Sequence, residues 1–148
     1  MATVQPRTYD PNKVSCTFKG NIITGYGKDS RIEAERSEDL FTTQVGCDGE
    51  FARSVSRNRM GTVKITLLAT SPTNDVLSAA LALDELTGAG AGELSVEDHN
   101  GTSLVRSAAA WVKKMVPLKR GKEVEENEWT LECGELEIFV GGQAQVIT

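Results

Sequence analysis

Only one segment of the chain has the pattern of an α-helix, and this fact most restricts the possible fold. Ser71 or Thr73 can cap such a helix, and Pro72 suits its first position. Apolar residues then recur at helical spacing until Gly88, a residue that commonly ends a helix. The pattern predicts one helix, over about Thr73–Thr87, so most of the core must come from strands.

The remaining segments show the alternation, or the short β-branched runs, that are typical of strands. The pair Asn100-Gly101 predicts a hairpin in which both turn residues adopt positive φ. Apolar residues occupy odd-numbered positions before Gly134-Glu135 and even-numbered positions after it. This change of alternation predicts a bulge or a tight turn there. The predicted strands cover residues 13–19, 22–24, 30–37, 40–45, 62–70, 93–98, 102–116, 129–133 and 136–140.

These elements together favour one fold class. Many strands, a single helix and no strand–helix–strand alternation indicate a mainly β protein. We expect an antiparallel β-sandwich or small barrel with one flanking α-helix. A length of 148 residues fits a single domain over residues 1–148. Its first twelve residues, with Pro6 and Asp10-Pro11, are predicted to form an extended N-terminal arm.

Charge and composition argue against several classes of protein. The formal net charge of −5 has the wrong sign for wrapping nucleic acid by neutralising phosphates. No apolar run approaches the roughly 18–20 residues of a membrane span, and the N-terminal residues lack the apolar stretch of a secretory signal. The three cysteines have no CxxC spacing, so we expect reduced thiols that pack as small apolar groups. They are Cys16, Cys47 and Cys133.

The chain offers little for catalysis or for binding a cofactor. Its single histidine, His99, lies beside the Asn100-Gly101 turn, where a solvated side chain is expected. The short spacing of zinc ligands is missing. The glycine-rich segment Gly88–Gly92 follows a helix instead of leading into one, so it is not a phosphate loop. The sequence predicts no enzyme activity, no catalytic residue, no metal site and no cofactor.

The segment Asp39–Met60 is predicted to form a long extended hairpin. Its turn is Asp48-Gly49, and its return leg carries Arg53, Arg57 and Arg59. Alternation would place the three guanidinium groups on one face. Such a ribbon can bind nucleic acid, an acidic protein surface or only solvent. For a net acidic chain, an acidic protein surface is the better specific partner.

Several motifs resemble those of the tail tube proteins of contractile-tailed bacteriophages. The most characteristic ones are Ser56-Arg57-Asn58, the strand Gly61–Leu68 and the run Thr70–Ser78, which contains Ser-Pro-Thr-Asn-Asp. The order of basic hairpin, glycine, β-branched strand and helix start is similar to the middle section of that family. The closing strand around Trp129 and the run Val140–Gly142 are also similar to it.

The resemblance implies a fold, an assembly and a place of action. Such proteins are β-sandwich or barrel-like subunits with one flanking helix, related in fold to the tube protein of type VI secretion systems. Their hexameric rings stack into the hollow inner tube of a contractile tail, through which DNA passes without specific binding. The expected partners are further copies of the chain, the tail sheath, baseplate proteins and tail-terminator proteins. The expected location is the virion, after assembly in the bacterial cytoplasm, with no insertion into a membrane.

The resemblance also makes two surfaces candidates for assembly. Glu33 and Glu35 lie on the polar face of the strand at residues 30–37 and are candidates for lining the lumen. An acidic lining would weaken sticking to a polyanion, whereas an outer solvated face is the alternative. The hairpin, with Asp48-Gly49 at its turn and the three arginines on its return leg, is the candidate contact between stacked rings.

Two other classes of function stay open. The chain could be another tail component of the same fold, such as a tube initiator, a terminator or a baseplate protein. It could also be a monomeric β-sandwich that binds a small ligand or carbohydrate. That second class needs an aromatic-lined surface, and aromatic residues make up only 5% of the chain.

Overall fold

The structure, a computed structural model, describes residues 6–28 and 31–143. Within these residues the chain forms a short 3-10 turn, one α-helix and ten strands. The turn is Pro11–Lys13 and the helix, α1, is Thr73–Thr87. The strands are β1 (Val14–Phe18), β2 (Asn21–Ile22), β3 (Ile32–Arg36), β4 (Phe41–Val45), β5 (Phe51–Val55), β6 (Gly61–Leu68), β7 (Gly92–Asp98), β8 (Leu104–Val112), β9 (Glu126–Cys133) and β10 (Leu136–Phe139).

Eight of the strands form one antiparallel sheet. Its order is β2-β1-β7-β8-β9-β6-β3, and β10 pairs with β8 beside this path. The other two strands, β4 and β5, pair with each other in a separate two-stranded sheet. The prediction of a mainly β, antiparallel fold with one flanking helix is therefore confirmed.

The hydrophobic core is built from alternate residues of the strands and from one face of α1. Val63, Ile65 and Leu67 on β6 are fully buried, while Lys64 between them is exposed, which is the period of a strand. The helix contributes three buried side chains at helical spacing: Leu77, Ala80 and Leu81. Burying each large aliphatic side chain contributes about 1.5–3 kcal/mol, so this face fixes the helix on the sheet.

The start of α1 is fixed by hydroxyl groups. The Ser71 hydroxyl accepts a hydrogen bond from the Thr73 N–H (3.2 Å) and donates to the Thr24 carbonyl. The Thr73 hydroxyl instead accepts from the Thr24 N–H (3.0 Å). Of the two predicted caps, Ser71 thus serves the helix, and Pro72 lies just before its first residue. Gly88 ends the helix in the left-handed conformation (φ 73°), as predicted.

The prediction of a bulge or tight turn at Gly134-Glu135 is confirmed as a bulge on the β6 side. Cys133 lies opposite Gly61, and the Leu136 N–H donates to the Arg59 carbonyl (2.9 Å), so two residues face the single residue Met60. Along β8, Cys133 lies opposite Ala110 and Leu136 lies opposite Ser107, so the register of β9 continues into β10 without an extra residue. On β8 the buried residues also change from an odd-numbered position, Ser107, to even-numbered ones, Ala110 and Val112. The pairing of β8 with β7 shifts by one residue at the same place. The extra residue therefore lies on the β6 side, and a bend at Gly134-Glu135 separates β9 from β10.

The hairpin predicted at Asn100-Gly101 exists, but its turn has a different geometry. The last residue pair between β7 and β8 is Glu97 with Leu104, so the connection is wider than two residues. Neither Asn100 nor Gly101 has positive φ. A two-residue turn with positive φ does occur at Lys19-Gly20, between β1 and β2 (φ 50° and 82°). The position of the β7–β8 hairpin was thus predicted correctly, and its turn type was not.

The wide β7–β8 turn holds the segment before the 3-10 turn. The Asn100 side chain donates to the Asp10 carbonyl and accepts from the Asp10 N–H, both at 2.9 Å. The Gln143 side chain donates to the Thr8 carbonyl (3.1 Å), so residues from both ends of the described chain meet here. Residues 1–5 of the predicted N-terminal arm lie outside the described residues.

Candidate functional site

The β4–β5 hairpin is separate from the main sheet. Its strands pair with each other over five residue pairs and with no other strand of the described chain. The Gly46 N–H donates to the Glu50 carbonyl (2.7 Å), and Gly49 in the turn has φ 83°, as the pair Asp48-Gly49 predicted. The structure therefore has a hairpin within the predicted segment Asp39–Met60, with strands of five residues each.

One face of this hairpin is apolar and exposed. Residues directly opposite each other in an antiparallel pair share a face, and faces alternate along each strand. Val45, Phe51 and Val55 on this face are 73%, 81% and 60% exposed. We call the face the apolar face of the hairpin. It consists of three opposite pairs: Phe41 with Val55, Thr43 with Arg53 and Val45 with Phe51.

The structure does not place the three arginines on one face of a strand. Arg53 lies on the apolar face, with its guanidinium carbon 4.0 Å from the centre of the Phe41 ring. Arg57 and Arg59 follow β5 in the irregular link to β6, where strand alternation does not apply. Arg59 approaches the Glu135 carboxylate at 3.8 Å. The prediction that all three arginines share one face of the hairpin is therefore wrong. Only Arg53 lies on a strand face.

Sequence reasoning missed the apolar face of the hairpin. The signal was present, because Phe41 and Val45 flank Thr43, and Phe51 and Val55 flank Arg53, each at strand spacing. The sequence prediction used only the positive charges of this segment and not its apolar residues. The opposite face carries only small or polar side chains: Thr42, Gln44, Ala52 and Ser54.

Glu33 and Glu35 lie together on a polar face of the main sheet. Both are exposed on β3, where Glu33 pairs with Lys64 and Glu35 with Thr62 of β6. Lys64 also approaches Glu128 at 3.9 Å. The sequence correctly placed both carboxylates on one polar face, and the sheet extends that face across β6.

β3 is the last strand of the sheet on its side. The Arg31 carbonyl and the Ser37 N–H form hydrogen bonds toward the β6 side. Because the direction of backbone groups alternates along a strand, those of Ile32, Ala34 and Arg36 point away from β6. No strand within residues 6–28 and 31–143 pairs with this edge, so it is available to a strand of another chain.

The one histidine does not form a catalytic arrangement. His99 Nε2 lies 3.3 Å from the Ser15 hydroxyl and 3.7 Å from the Glu97 carboxylate. A serine–histidine–carboxylate triad needs the carboxylate on Nδ1, opposite the nitrogen that faces the serine. Here both neighbours approach the same nitrogen, and the imidazole and carboxylate are more than half exposed. The contact is an exposed polar cluster at a turn.

The thiols divide into two buried groups and one exposed group. Burial, and then the neighbouring Cys133, raise the pKa of the Cys16 thiol to about 12. Burial also raises the pKa of Cys133, against a hydrogen bond with Ser107 that lowers it. Both are therefore protonated and unreactive at neutral pH. Cys47 is exposed beside the hairpin turn, so the expectation that all three thiols pack as apolar groups is wrong for it.

Residues 6–28 and 31–143 contain neither a metal-binding cluster nor a membrane-spanning helix. No group of three or more histidine, cysteine or acidic side chains there could hold a metal ion. No helix in this part of the chain has both the length and the apolar character needed to cross a bilayer.

Comparison with known proteins agrees with the fold. The chain is similar to the structural protein ORF10 of Pseudomonas phage KPP10, with 26% identity over 147 residues that cover 94% of this chain and 85% of that protein. It is similar in structure to the tube terminating cap of the anti-feeding prophage, with a TM-score of 0.63, 11% identity and coverage of 94% and 95% of the two chains.

A second similar structure is the sheath/tube terminator, in the extended state, of an extracellular contractile injection system named PVC. Its TM-score is 0.62 at 9% identity, over 90% of this chain and 97% of that one. At such identities these two likenesses concern the fold. The family model of the bacteriophage PhiTE tail tube protein matches residues 8–141. This match covers nearly the whole chain, which therefore belongs to the PhiTE tail tube protein family of bacteriophages.

Proposed function

We propose that this chain is a structural subunit of a phage tail tube, whose copies form hexameric rings that stack through the β4–β5 hairpin. Family membership supports a role as a structural protein of the virion, without an enzymatic activity. The observation that carries the proposal is the exposed apolar face of the hairpin. Contiguous exposed apolar faces on soluble proteins mark interaction sites.

The energetics of the hairpin favour contact with another copy. A two-stranded hairpin is marginal in water by itself, and this one has no third strand. Removing apolar surface from water contributes about 25 cal/mol per Å², so two phenylalanines and two valines form a substantial docking face. A contact between this face and a different surface of the next ring is heterologous and can repeat along a tube.

The cations near the hairpin define what the receiving surface should contain. Arg53 lies in the middle of the apolar face, so a docked hairpin would remove its guanidinium from water. Leaving that charge unpaired would cost several kcal/mol, and a carboxylate on the neighbouring copy would offset this. Arg57 and Arg59 lie at the base of the hairpin and would reach carboxylates at the rim of the same contact.

We assign the lumen to the polar sheet face that carries Glu33 and Glu35. A tube that lets DNA slide must bind phosphates weakly, and carboxylates repel them. The free edge of β3 next to these residues would allow sheets of neighbouring subunits to join within a ring. The tail sheath would surround such a tube, and baseplate and terminator proteins would bind its ends.

The proposal is tested by comparing the two faces of the hairpin. In one variant, Val45→Asp/Phe51→Asp, two opposite residues of the apolar face change. In the matched control, Gln44→Asp/Ala52→Asp, two opposite residues of the polar face change. Both introduce the same pair of like charges across the strands. We expect the parent and the control to form tubes in negative-stain electron microscopy and the first variant to form none. Tubes from the first variant would contradict the proposal.

The second candidate function is a tube terminator. The two solved structures reported above are described as terminating pieces, so the structural likeness favours this candidate over the tube subunit. A terminator forms one ring and stops. Purified parent protein that yields single rings at every concentration, and caps added tubes, would identify a terminator. Long tubes formed by the chain alone would identify a tube subunit.

A further inference from the structure

We propose that a basic connector at residues 113–122 binds an acidic, amphipathic segment of a different protein. The connector joins β8 to the turns before β9 and lies beside the start of α1. It is separate from the hairpin and borders the polar sheet face, where Lys113 pairs with Glu132 opposite Thr62. Binding at the connector goes beyond the stacking proposed above.

The connector carries only positive charges. Five of its ten residues are cationic and none is acidic. Within the described residues only one of the five is in an ion pair, Lys113 with Glu132 at 3.6 Å. The other four are exposed cations with no carboxylate within ion-pair distance in that part of the chain. The five are Lys113, Lys114, Lys119, Arg120 and Lys122.

A groove lined by both apolar and polar side chains accompanies these charges. It has a volume of about 530 Å³ and runs between residues 115–118 of the connector and the first turns of α1. Met115 and Leu118 are 48% and 81% exposed, whereas Val116 packs against the core and anchors the connector. Cations beside exposed apolar side chains match a segment that carries both carboxylates and apolar residues.

The neighbouring acidic run of the same chain does not supply this partner. Glu126 accepts a hydrogen bond from the Lys28 N–H (3.1 Å), and Glu128 approaches Lys64 at 3.9 Å. Residues 125–127 are half-buried, so they are not free to leave for the connector of another copy. Because these carboxylates are already engaged at the start of β9, the proposal assigns the acidic segment to a different protein.

The groove also favours a protein over nucleic acid. The exposed Leu118 offers nothing to a phosphate backbone, whereas an apolar residue of a peptide would cover it. An amphipathic segment lying along a groove is a common form of peptide recognition.

A binding experiment with defined probes tests this inference. The full chain is titrated into a fluorescent helical peptide of repeated Leu-Glu-Glu-Leu units. Parallel titrations use the same peptide with glutamine in place of glutamate, the same peptide with serine in place of leucine, duplex DNA, and phosphatidylserine vesicles. The variants are Lys119→Glu/Arg120→Glu and Leu118→Ser. The control Lys19→Glu/Lys28→Glu makes the same change in net charge elsewhere.

We expect the acidic amphipathic peptide to bind more tightly than any other probe. Lys119→Glu/Arg120→Glu should weaken this binding about tenfold or more, Leu118→Ser should also weaken it, and the control should leave it within about twofold. The absence of binding to the parent, or an equal loss in the control, would overturn the inference. DNA or vesicles that bind as tightly as the peptide would also overturn it. Tube formation by the variants is measured separately, so failure of stacking and failure of this site are distinguishable.

Discussion

At the scale of single residues, Asn74 joins the start of α1 to the sheet. Its Nδ2 donates to the carbonyls of Leu68 (2.9 Å) and Ser71 (3.0 Å). Its Oδ1 accepts from the indole N–H of Trp129 (2.8 Å) and from the Asn127 side chain (3.2 Å). Because Trp129 is almost fully buried, its N–H would otherwise lack a partner. This network gives a physical reason for the Ser-Pro-Thr-Asn-Asp motif.

We expect Asn74→Ala to lower the free energy of unfolding by about 2–3 kcal/mol, since it leaves a buried donor and two carbonyls without their partner. The control Asn127→Ala removes one hydrogen bond of the same network and should cost about 1 kcal/mol. Urea unfolding followed by tryptophan fluorescence measures both. Equal losses for the two variants would show that Asn74 has no special role.

The Cys16 thiol makes stability depend on alkaline pH. Its pKa is raised from an ordinary value near 9 to about 12, so the folded chain keeps a proton that the unfolded chain loses. This contribution to stability is complete below pH 9 and is lost as pH rises toward 12. We expect the free energy of unfolding to fall by up to about 1.4 kcal/mol per pH unit in this range.

Urea unfolding between pH 8 and 11, with reductant present, measures this dependence. Cys16→Ala should flatten the decline, whereas Cys47→Ala, which changes an exposed thiol, should leave it unchanged. An identical slope in both variants would assign the alkaline decline to other groups.

At the scale of elements, the hairpin needs its arginines for assembly and not for folding. Arg53, Arg57 and Arg59 are not among the buried core residues, and the Arg59 contact with Leu136 is made by its backbone carbonyl, which a substitution retains. Replacing all three by glutamate should leave the circular dichroism spectrum unchanged and abolish tube growth. Arg53→Glu alone should account for most of the loss, since only Arg53 lies on the apolar face. A triple variant that polymerises as well as the parent would exclude the hairpin as the stacking element.

Elements with a local signal were predicted well. The helix Thr73–Thr87 and the strand Val14–Phe18 follow directly from the spacing of apolar residues and from a terminal glycine. The bulge at Gly134-Glu135 was predicted from the alternation of apolar residues along one strand, but the sequence could not show that it faces β6. The turn at Asn100-Gly101 was misread because the Asn100 side chain is held by Asp10, far away in sequence. Such long-range contacts override local turn preference.

The candidate site was predicted less completely. The polar face with Glu33 and Glu35 follows from alternation alone, and the structure retains it. The apolar face of the hairpin joins residues of two strands, so it becomes visible only when the pairing of Val45 with Phe51 is known. Reasoning along one strand at a time could not assemble it.

At the scale of the whole molecule, the proposed tube predicts the effect of charge in its lumen. Tubes of a Glu33→Lys/Glu35→Lys variant should retain short DNA duplexes in sedimentation at low salt, because lysines would bind passing phosphates. Parent tubes should retain little DNA, and added salt should release it from the variant. A solved tube with both carboxylates far from the axis would end this assignment.

The independence of the β4–β5 hairpin from the main sheet has a consequence for phages that infect one cell together. Changes within residues 41–55 alter no register and no buried side chain of the body. On the proposed assembly, mutation can therefore change which copies recognise each other while the folded body stays the same. Changes in the β4–β5 hairpin alone would then prevent the tail proteins of two phage lineages from assembling with each other.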